Sequence, residues 1–337
     1  MVLLKQILYK FTRTKIFWPI LALAVLLILN LLLIPGFFSI EIKDGHLFGS
    51  LIDILNRVVP LLIISIGMTI VIAKEGIDIS VGSVLAISGA LAASIMESSS
   101  VWVALIAAIG IGIVCGLWNG MLVSVFDIQP MVATLILLIV GRGIAQLITG
   151  GQILTIDNKI YDYIGSGFLL GLPFPIFIGL AVFLILLYMK KRTALGLFIE
   201  SIGNNMTASK FAGIQPKRII LIGYAICGVC AAIAGIIVSA NVSSADANNA
   251  GLWIELDAIL AVVIGGTSMR GGRYFLSGTV VGALFIQSLT TTIYSVGINP
   301  QIIMVVKAIA VIIVCLFQSE KFRLAFLQFG KKKVPLQ

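Results

Sequence analysis

The chain has 337 residues, 60% hydrophobic and 11% charged, with one histidine, four cysteines and a formal net charge of +9. A soluble domain carries about a quarter charged residues, and no aqueous fold of this length hides so much apolar surface, so lipid is the solvent for much of it. The positive charge does not indicate nucleic acid, because the basic residues stand at the ends of apolar runs instead of among aromatics on a polar surface.

The first segment, residues 1–15, carries Lys5, Lys10, Arg13 and Lys15 and reads as a tail. An apolar run follows over 16–35, about the length that spans a bilayer and longer than a signal-peptide core, so it is predicted as an uncleaved first helix. Further runs stand at 58–74, 81–97, 102–125, 130–149, 168–189, 217–240, 254–269, 274–296 and 302–318. They are apolar on all faces, unlike barrel strands, and backbone in lipid must satisfy itself. The expectation is an all-α polytopic membrane protein of about ten helices, one domain over 16–318, with a second tail at 319–337.

Ten crossings put both tails on one side. Eighteen of the 23 basic residues then share that side: the first tail, Lys74, the group from Lys190 to Arg218, Arg270 and Arg273, and the group from Lys321 to Lys333. The opposite loops hold Lys43, Arg57 and Lys159. The positive-inside rule makes the rich side, and both termini, cytoplasmic.

Three connections end in the same way, Asp127-Ile128-Gln129-Pro130, Gly213-Ile214-Gln215-Pro216 and Gly297-Ile298-Asn299-Pro300. Proline suits the first turn of a helix, so each marks a helix start. Spans five and ten share the signal, which hints at two five-helix halves of inverted topology. Spans three and eight hold matching places, and both are short with glycine and polar residues at one end. That pattern marks either a transport path or close packing through small residues.

No G-x-x-x-x-G-K-[ST] sequence is present, so the chain has no P-loop of its own. His46 is alone, which leaves no Ser-His-Asp set and no catalytic residue to nominate. Cys227 and Cys230 form a C-x-x-C, but with no second pair the spacing reads as two small side chains one turn apart, and no metal site is expected. Arg142 in span five and Lys307 in span ten are charges inside lipid-length runs. They either pair with Glu255 or Asp257 along a wet path, as a proton-coupled sugar carrier would need, or lock helices together. Glu255 and Asp257 also suit the positive end of a helix dipole.

The longest polar stretch on the basic side, 190–217, holds two short amphipathic pieces separated by Gly203, Asn204 and Asn205, which read as a C-terminal cap. Their apolar faces could lie on lipid, pack on the bundle or dock into another protein. On the other side, residues 150–167 and 241–252 are rich in amides and carboxylates near tyrosines and Trp253. Such groups suit a hydroxyl-rich ligand, although loops there are polar anyway.

The run Gly76-Ile77-Asp78-Ile79-Ser80-Val81-Gly82-Ser83 resembles a motif of ribose-type sugar-importing ABC permeases. So do Ala133-Thr134-Leu135 with Arg142-Gly143, the loop from Leu195-Gly196 to Gly213-Ile214, and Glu255-Leu256-Asp257-Ala258 through Gly265-Gly266-Thr267-Ser268 to Gly271-Gly272. Within that family, Phe48-Gly49-Ser50, the run from Ile52 to Arg57, the run from Gly141 to Thr149 and the run from Ala245 to Trp253 resemble the galactofuranose importers more closely.

The resemblance implies a type II-like ABC importer permease of the bacterial inner membrane, without cofactor. A cytoplasmic ATPase would bind ATP and magnesium, a second permease would complete the pore, and a periplasmic binding protein would deliver the sugar, galactofuranose first and a ribose-like pentose next. It also implies that the cytoplasmic loop contains a coupling helix, with Leu195, Gly196, Phe198, Glu200, Gly203, Asn204, Ala212 and Gly213 as its residues. Candidates for the sugar path are Asp78, Ser80, Arg142, Gln146, Asp246, Asn248, Asn249, Trp253, Glu255 and Asp257.

Overall fold

The computed structural model describes residues 16–43, 45–297, 299 and 302–318. Both basic tails and Pro300, on which part of the topology argument rests, lie outside them.

Among the described residues the helices are α1 Phe17–Leu33, α2 Ser50–Ile72, α3 Val81–Met96, α4 Val101–Ser124, α5 Pro130–Thr149, α6 Lys159–Ser166, α7 Phe174–Arg192, α8 Ala194–Asn204, α9 Met206–Phe211, α10 Pro216–Asn241, α11 Ile254–Ile264, α12 Leu276–Ser295 and α13 Ile303–Gln318. Sheet is confined to three small antiparallel pairs. β1 Glu41–Lys43 pairs with β2 His46–Phe48, β3 Leu154–Thr155 with β6 Ser244–Ala245, and β4 Phe168–Leu169 with β5 Leu172–Pro173.

Ten of these helices fall on the ten predicted apolar runs. Six of them, α2, α4, α5, α7, α10 and α12, are long and apolar enough to cross a membrane, while α1, α3 and α13 are shorter apolar helices. Boundaries differ for local reasons. α2 starts at Ser50, not 58, because Ile52 and Ile54 continue its buried face below Pro60. α7 starts at Phe174, since the preceding residues turn back through Gly171 at φ +81° to form the β4–β5 hairpin. α11 stops at Ile264, where Gly265 and Gly266 turn the chain. Its 11 residues rise about 16 Å, half of the ~30 Å hydrocarbon core.

α2 and α10 are the most enclosed of the long helices, and α5 and α7 the most exposed. α10 lies against α4 through facing glycines: Gly112 and Gly116 meet Gly228 and the Tyr224 backbone. Small residues let backbones approach where no hydrophobic effect separates protein from lipid.

Contacts sort the loops to two ends. At one end the Gly272 N–H donates to the Ala73 carbonyl at 2.9 Å, and one cavity is bordered by Lys74, Asp127, Lys210 and Gln215. At the other, the Leu47 N–H donates to Gly171 at 2.9 Å, β3 pairs with β6, and Asn241 Nδ2 donates to Gly165 at 3.1 Å. Loops alternate between these ends along the sequence. The first end carries Lys74, Lys190 to Arg192, Lys210, Lys217, Arg218, Arg270 and Arg273.

Candidate functional site

The basic end carries an elbow built from α8 and α9. The apolar face of α8 packs back on the bundle, with Ile199 and Ile202 buried and Leu195 and Phe198 against the same cluster as α2, α7 and α10 side chains. Of the roles open to this face, packing on the bundle is the one observed. Gly196 lies on the Lys190 backbone. Glu200 pairs with Lys190 at 3.3 Å, whose ammonium also donates to the Tyr274 carbonyl. Asn205 serves both pieces: in extended conformation it closes the first, its N–H donating to the Ser201 carbonyl at 3.0 Å, and caps the second, its Oδ1 accepting from the Ala208 N–H at 2.8 Å.

Gly203 is buried, and a side chain there would meet the Ala73 carbonyl and the Gly272 N–H. Asn204, Ala212 and Gly213 are exposed. The outer surface of the elbow presents Leu197, Met206 and Phe211, the last 89% exposed. Sequence reasoning did not nominate Leu197 or Met206; Phe211 belonged to the apolar face of the second piece, whose partner was left open. Behind α9 a cavity of about 930 Å³ reaches inward, with Lys74, Lys210, Arg218 and Tyr224 on its walls.

From Ala73 the chain enters the bundle as a loop before α3 begins. Asp78 and Ser80 are buried there. Asp78 Oδ1 accepts from the Ser80 N–H at 3.0 Å, the Ser80 hydroxyl at 2.6 Å and Asn119 Nδ2 at 3.3 Å. Thr134 of α5 donates to the Ile77 carbonyl at 3.2 Å. Lys74 donates to the Ile219 and Ile220 carbonyls at 3.2 and 3.1 Å. These bonds satisfy an irregular backbone inside the span, the condition under which membranes tolerate one. Asn119 was missed because a lone polar residue in an apolar run carries no spacing signal, and Thr134 was noted only within the Ala133-Thr134-Leu135 motif and not as a brace.

α11 mirrors this arrangement from the opposite end. The loop 242–253 descends before α11 begins, and Gly82 in the first turn of α3 abuts the Gly251 carbonyl and the Glu255 carboxylate. The N-terminal turns of α3 and α11 therefore meet inside the bundle. Glu255 is buried, and its Oε2 has no hydrogen-bond partner among the described residues. Asp257 pairs with Lys307 at 2.6 Å. Arg142 donates to the Ala247 and Ala250 carbonyls at 3.3 and 2.5 Å.

At the mouth of this loop Gln146 donates to Asn248 at 2.7 Å. Asp246 accepts from the backbone of Asn248 and Asn249 and, at 2.7 Å, from the Asn249 amide. That amide chiefly, helped by the two N–H groups and the nearby Arg142, holds the Asp246 carboxyl below the usual range against the opposing effect of burial. Trp253 is half-exposed in a left-handed conformation, φ +65°. A cleft of about 350 Å³ beside Asp246 and Asn249 runs down between α3 and α10.

Cys227 and Cys230 are buried on α10, with Cys230 against Gly67 of α2, and His46 stacks on Phe168 at 4.2 Å. Among the described residues no group of three His, Cys, Asp or Glu stands close enough to hold a metal.

The family described as branched-chain amino acid transport system, permease component, matches residues 50–315. The chain is 50% identical to the galactofuranose transporter permease protein YtfT of Escherichia coli K12, over 90% of this chain and 91% of that one. It is 37% identical to the fructose import permease protein FruF of Bifidobacterium longum, over 93% and 90%. Identity to the ribose import permease protein RbsC of Escherichia coli K12 is also 37%, over 90% and 93%. No solved structure matches it significantly.

Proposed function

The chain belongs to the permease-component family of branched-chain amino acid and related transport systems, and on that premise we propose that it is the membrane subunit of an ATP-driven sugar importer, with galactofuranose as its first substrate and a ribose-like pentose next. The sugar class rests on the three relatives, each named for a sugar. The preference for galactofuranose rests on the 50% identity to a galactofuranose permease.

One observation carries the mechanism: the elbow at the basic end is joined by close backbone contacts to the place where α3 and α11 meet. Gly203 bears on Ala73 and Gly272. Ala73 leads through the loop braced by Asp78, Ser80, Asn119 and Thr134 to Gly82, and Gly82 bears on Gly251 and Glu255. The basic end faces the cytoplasm in this reading, which the charge asymmetry supports. A cytoplasmic ATPase subunit, which holds ATP and magnesium, docks on Leu197, Met206 and Phe211. Its closure pushes the elbow, and the packed line carries that displacement to the loop bearing Asp246, Asn248 and Asn249. Packed cores pass displacement on because they have little free volume to absorb it.

Sugar arrives from a periplasmic binding protein at this loop, where a carboxylate and amides take hydroxyls and the cleft receives the ring. The path completes against a second permease. A proton-coupled carrier working through Arg142, Glu255 and Asp257 is the rival reading. It is disfavoured because Arg142 and Asp257 are engaged with backbone and Lys307.

Tagged protein should co-purify with an ATPase subunit, and labelled galactofuranose uptake should be displaced better by unlabelled galactofuranose than by ribose. Asp246→Ala should lower uptake and leave ATPase recovery unchanged. Uptake collapsed by an uncoupler but indifferent to loss of the ATPase would favour the carrier.

A further inference from the structure

Arg142 of α5 and Lys307 of α13 are cations within helices of the bundle, and the line of contacts from the elbow uses neither. They come from the corresponding helices of the two halves, and both reach the stretch from Ala247 to Asp257. Arg142 Nη1 donates to the carbonyls of Ala247 and Ala250 at 3.3 and 2.5 Å. Lys307 Nζ meets Asp257 Oδ2 at 2.6 Å, with the two side chains only 13% and 25% exposed. Of the three ion pairs among the described residues, this is the one inside the bundle away from the elbow.

Simple helix locking would join two continuous helices. Here Arg142 holds the loop that leads into a half-length helix, and Lys307 holds the first turn of that helix. Gly251 and Trp253 within that loop are left-handed, at φ +66° and +65°, so the chain bends sharply where it enters α11. Glu255, directly between the two grips, is buried with Oε2 unpartnered among the described residues. It faces the Gly82 backbone on α3, and Arg142 is the cation whose charge acts on it. A buried carboxylate oxygen without a partner is costly, and it is satisfied if Arg142 turns from the two carbonyls toward it. A second seat of that kind would make Arg142 part of a discrete two-state element.

We propose that Arg142 and Lys307 form a two-sided catch that holds the entrance to α11 closed at rest. Displacement of Gly82 by the elbow releases it, with Arg142 passing from the Ala247 and Ala250 carbonyls to Glu255. The catch rests on the importer reading and adds to it the residues that keep the sugar path shut between ATP cycles.

The test uses the full chain assembled with its ATPase partner in vesicles and measures sugar taken up per ATP hydrolysed, together with efflux of preloaded sugar without ATP. Lys307→Met and Arg142→Gln should each lower the ratio about tenfold and raise efflux, at unchanged amounts of assembled protein. The exchange Asp257→Lys with Lys307→Asp keeps both charges and should restore most of the ratio, less the dipole contribution of a carboxylate in the first turn of α11. If a single variant fails to assemble, the exchange alone decides: a recovered ratio supports the catch and a lowered one overturns it. The proposal also fails if either single variant keeps the wild-type ratio, or if the exchange is as poor as the singles. Wild-type vesicles without ATP-driven uptake would instead overturn the importer reading beneath it.

Discussion

Gly203 sits where no side chain fits, because a Cβ would run into the Ala73 carbonyl and the Gly272 N–H, two backbone atoms that hydrogen-bond each other. Backbone cannot step aside as a flexible side chain can. Gly203→Ala should therefore cost about 1–3 kcal/mol through overpacking and lower uptake by loosening the elbow from the Ala73 loop. Gly213, ten residues on, is a control. Its φ of +83° strains any side chain, but nothing lies within 4 Å, so Gly213→Ala should cost only about 1 kcal/mol of backbone strain. Thermal unfolding of the purified variants checks the order, and a larger loss at Gly213 would contradict it. Sequence marked Gly203 as a break between two amphipathic pieces and Gly213 as the head of the connection that ends at Pro216, and the resemblance put both in the coupling loop. It could not separate them, because the neighbour that excludes a side chain at Gly203 lies 130 residues away at Ala73.

At the scale of elements, α9 divides its residues between packing and display. Ser209 is buried and Met206 and Phe211 are exposed. Covering a phenylalanine in an ATPase groove is worth about 1.5–3 kcal/mol, or roughly ten- to hundredfold in affinity. Phe211→Ser should thus cut ATPase recovery in co-purification by that factor without changing membrane insertion, and equal recovery would remove α9 from the docking surface. The amphipathic pattern was legible over this loop, because Leu195, Phe198, Ile199 and Ile202 repeat at helical spacing. The exposed apolar side chains beside them were not, since periodicity shows that a face exists and not which neighbour covers it. α3 and α11 were legible as short and glycine-rich in corresponding positions. Their meeting at Gly82 and Gly251 depends on two loops entering from opposite ends, and no local pattern encodes that approach.

The whole molecule is a bundle whose basic end carries the elbow of α8 and α9 and whose opposite end carries a polar mouth, with the starts of α3 and α11 meeting between them. The positions of ten apolar runs and the imbalance of lysine and arginine were readable directly, because lipid imposes both length and charge rules on the chain. The bonds that Asn119 makes to Asp78 and Ser80 were not, since they form only when α4 packs against the loop before α3. The chain holds no P-loop, and under the proposed function a partner subunit hydrolyses the ATP. The direct measurement is uphill sugar accumulation in sealed vesicles, comparing this chain alone with the chain joined to its second permease, ATPase and binding protein. ATP on the elbow side should drive accumulation in the complete assembly, and a proton gradient should drive none in the chain alone. Accumulation by the chain alone, or ATP acting from the side of Asp246, would contradict the account.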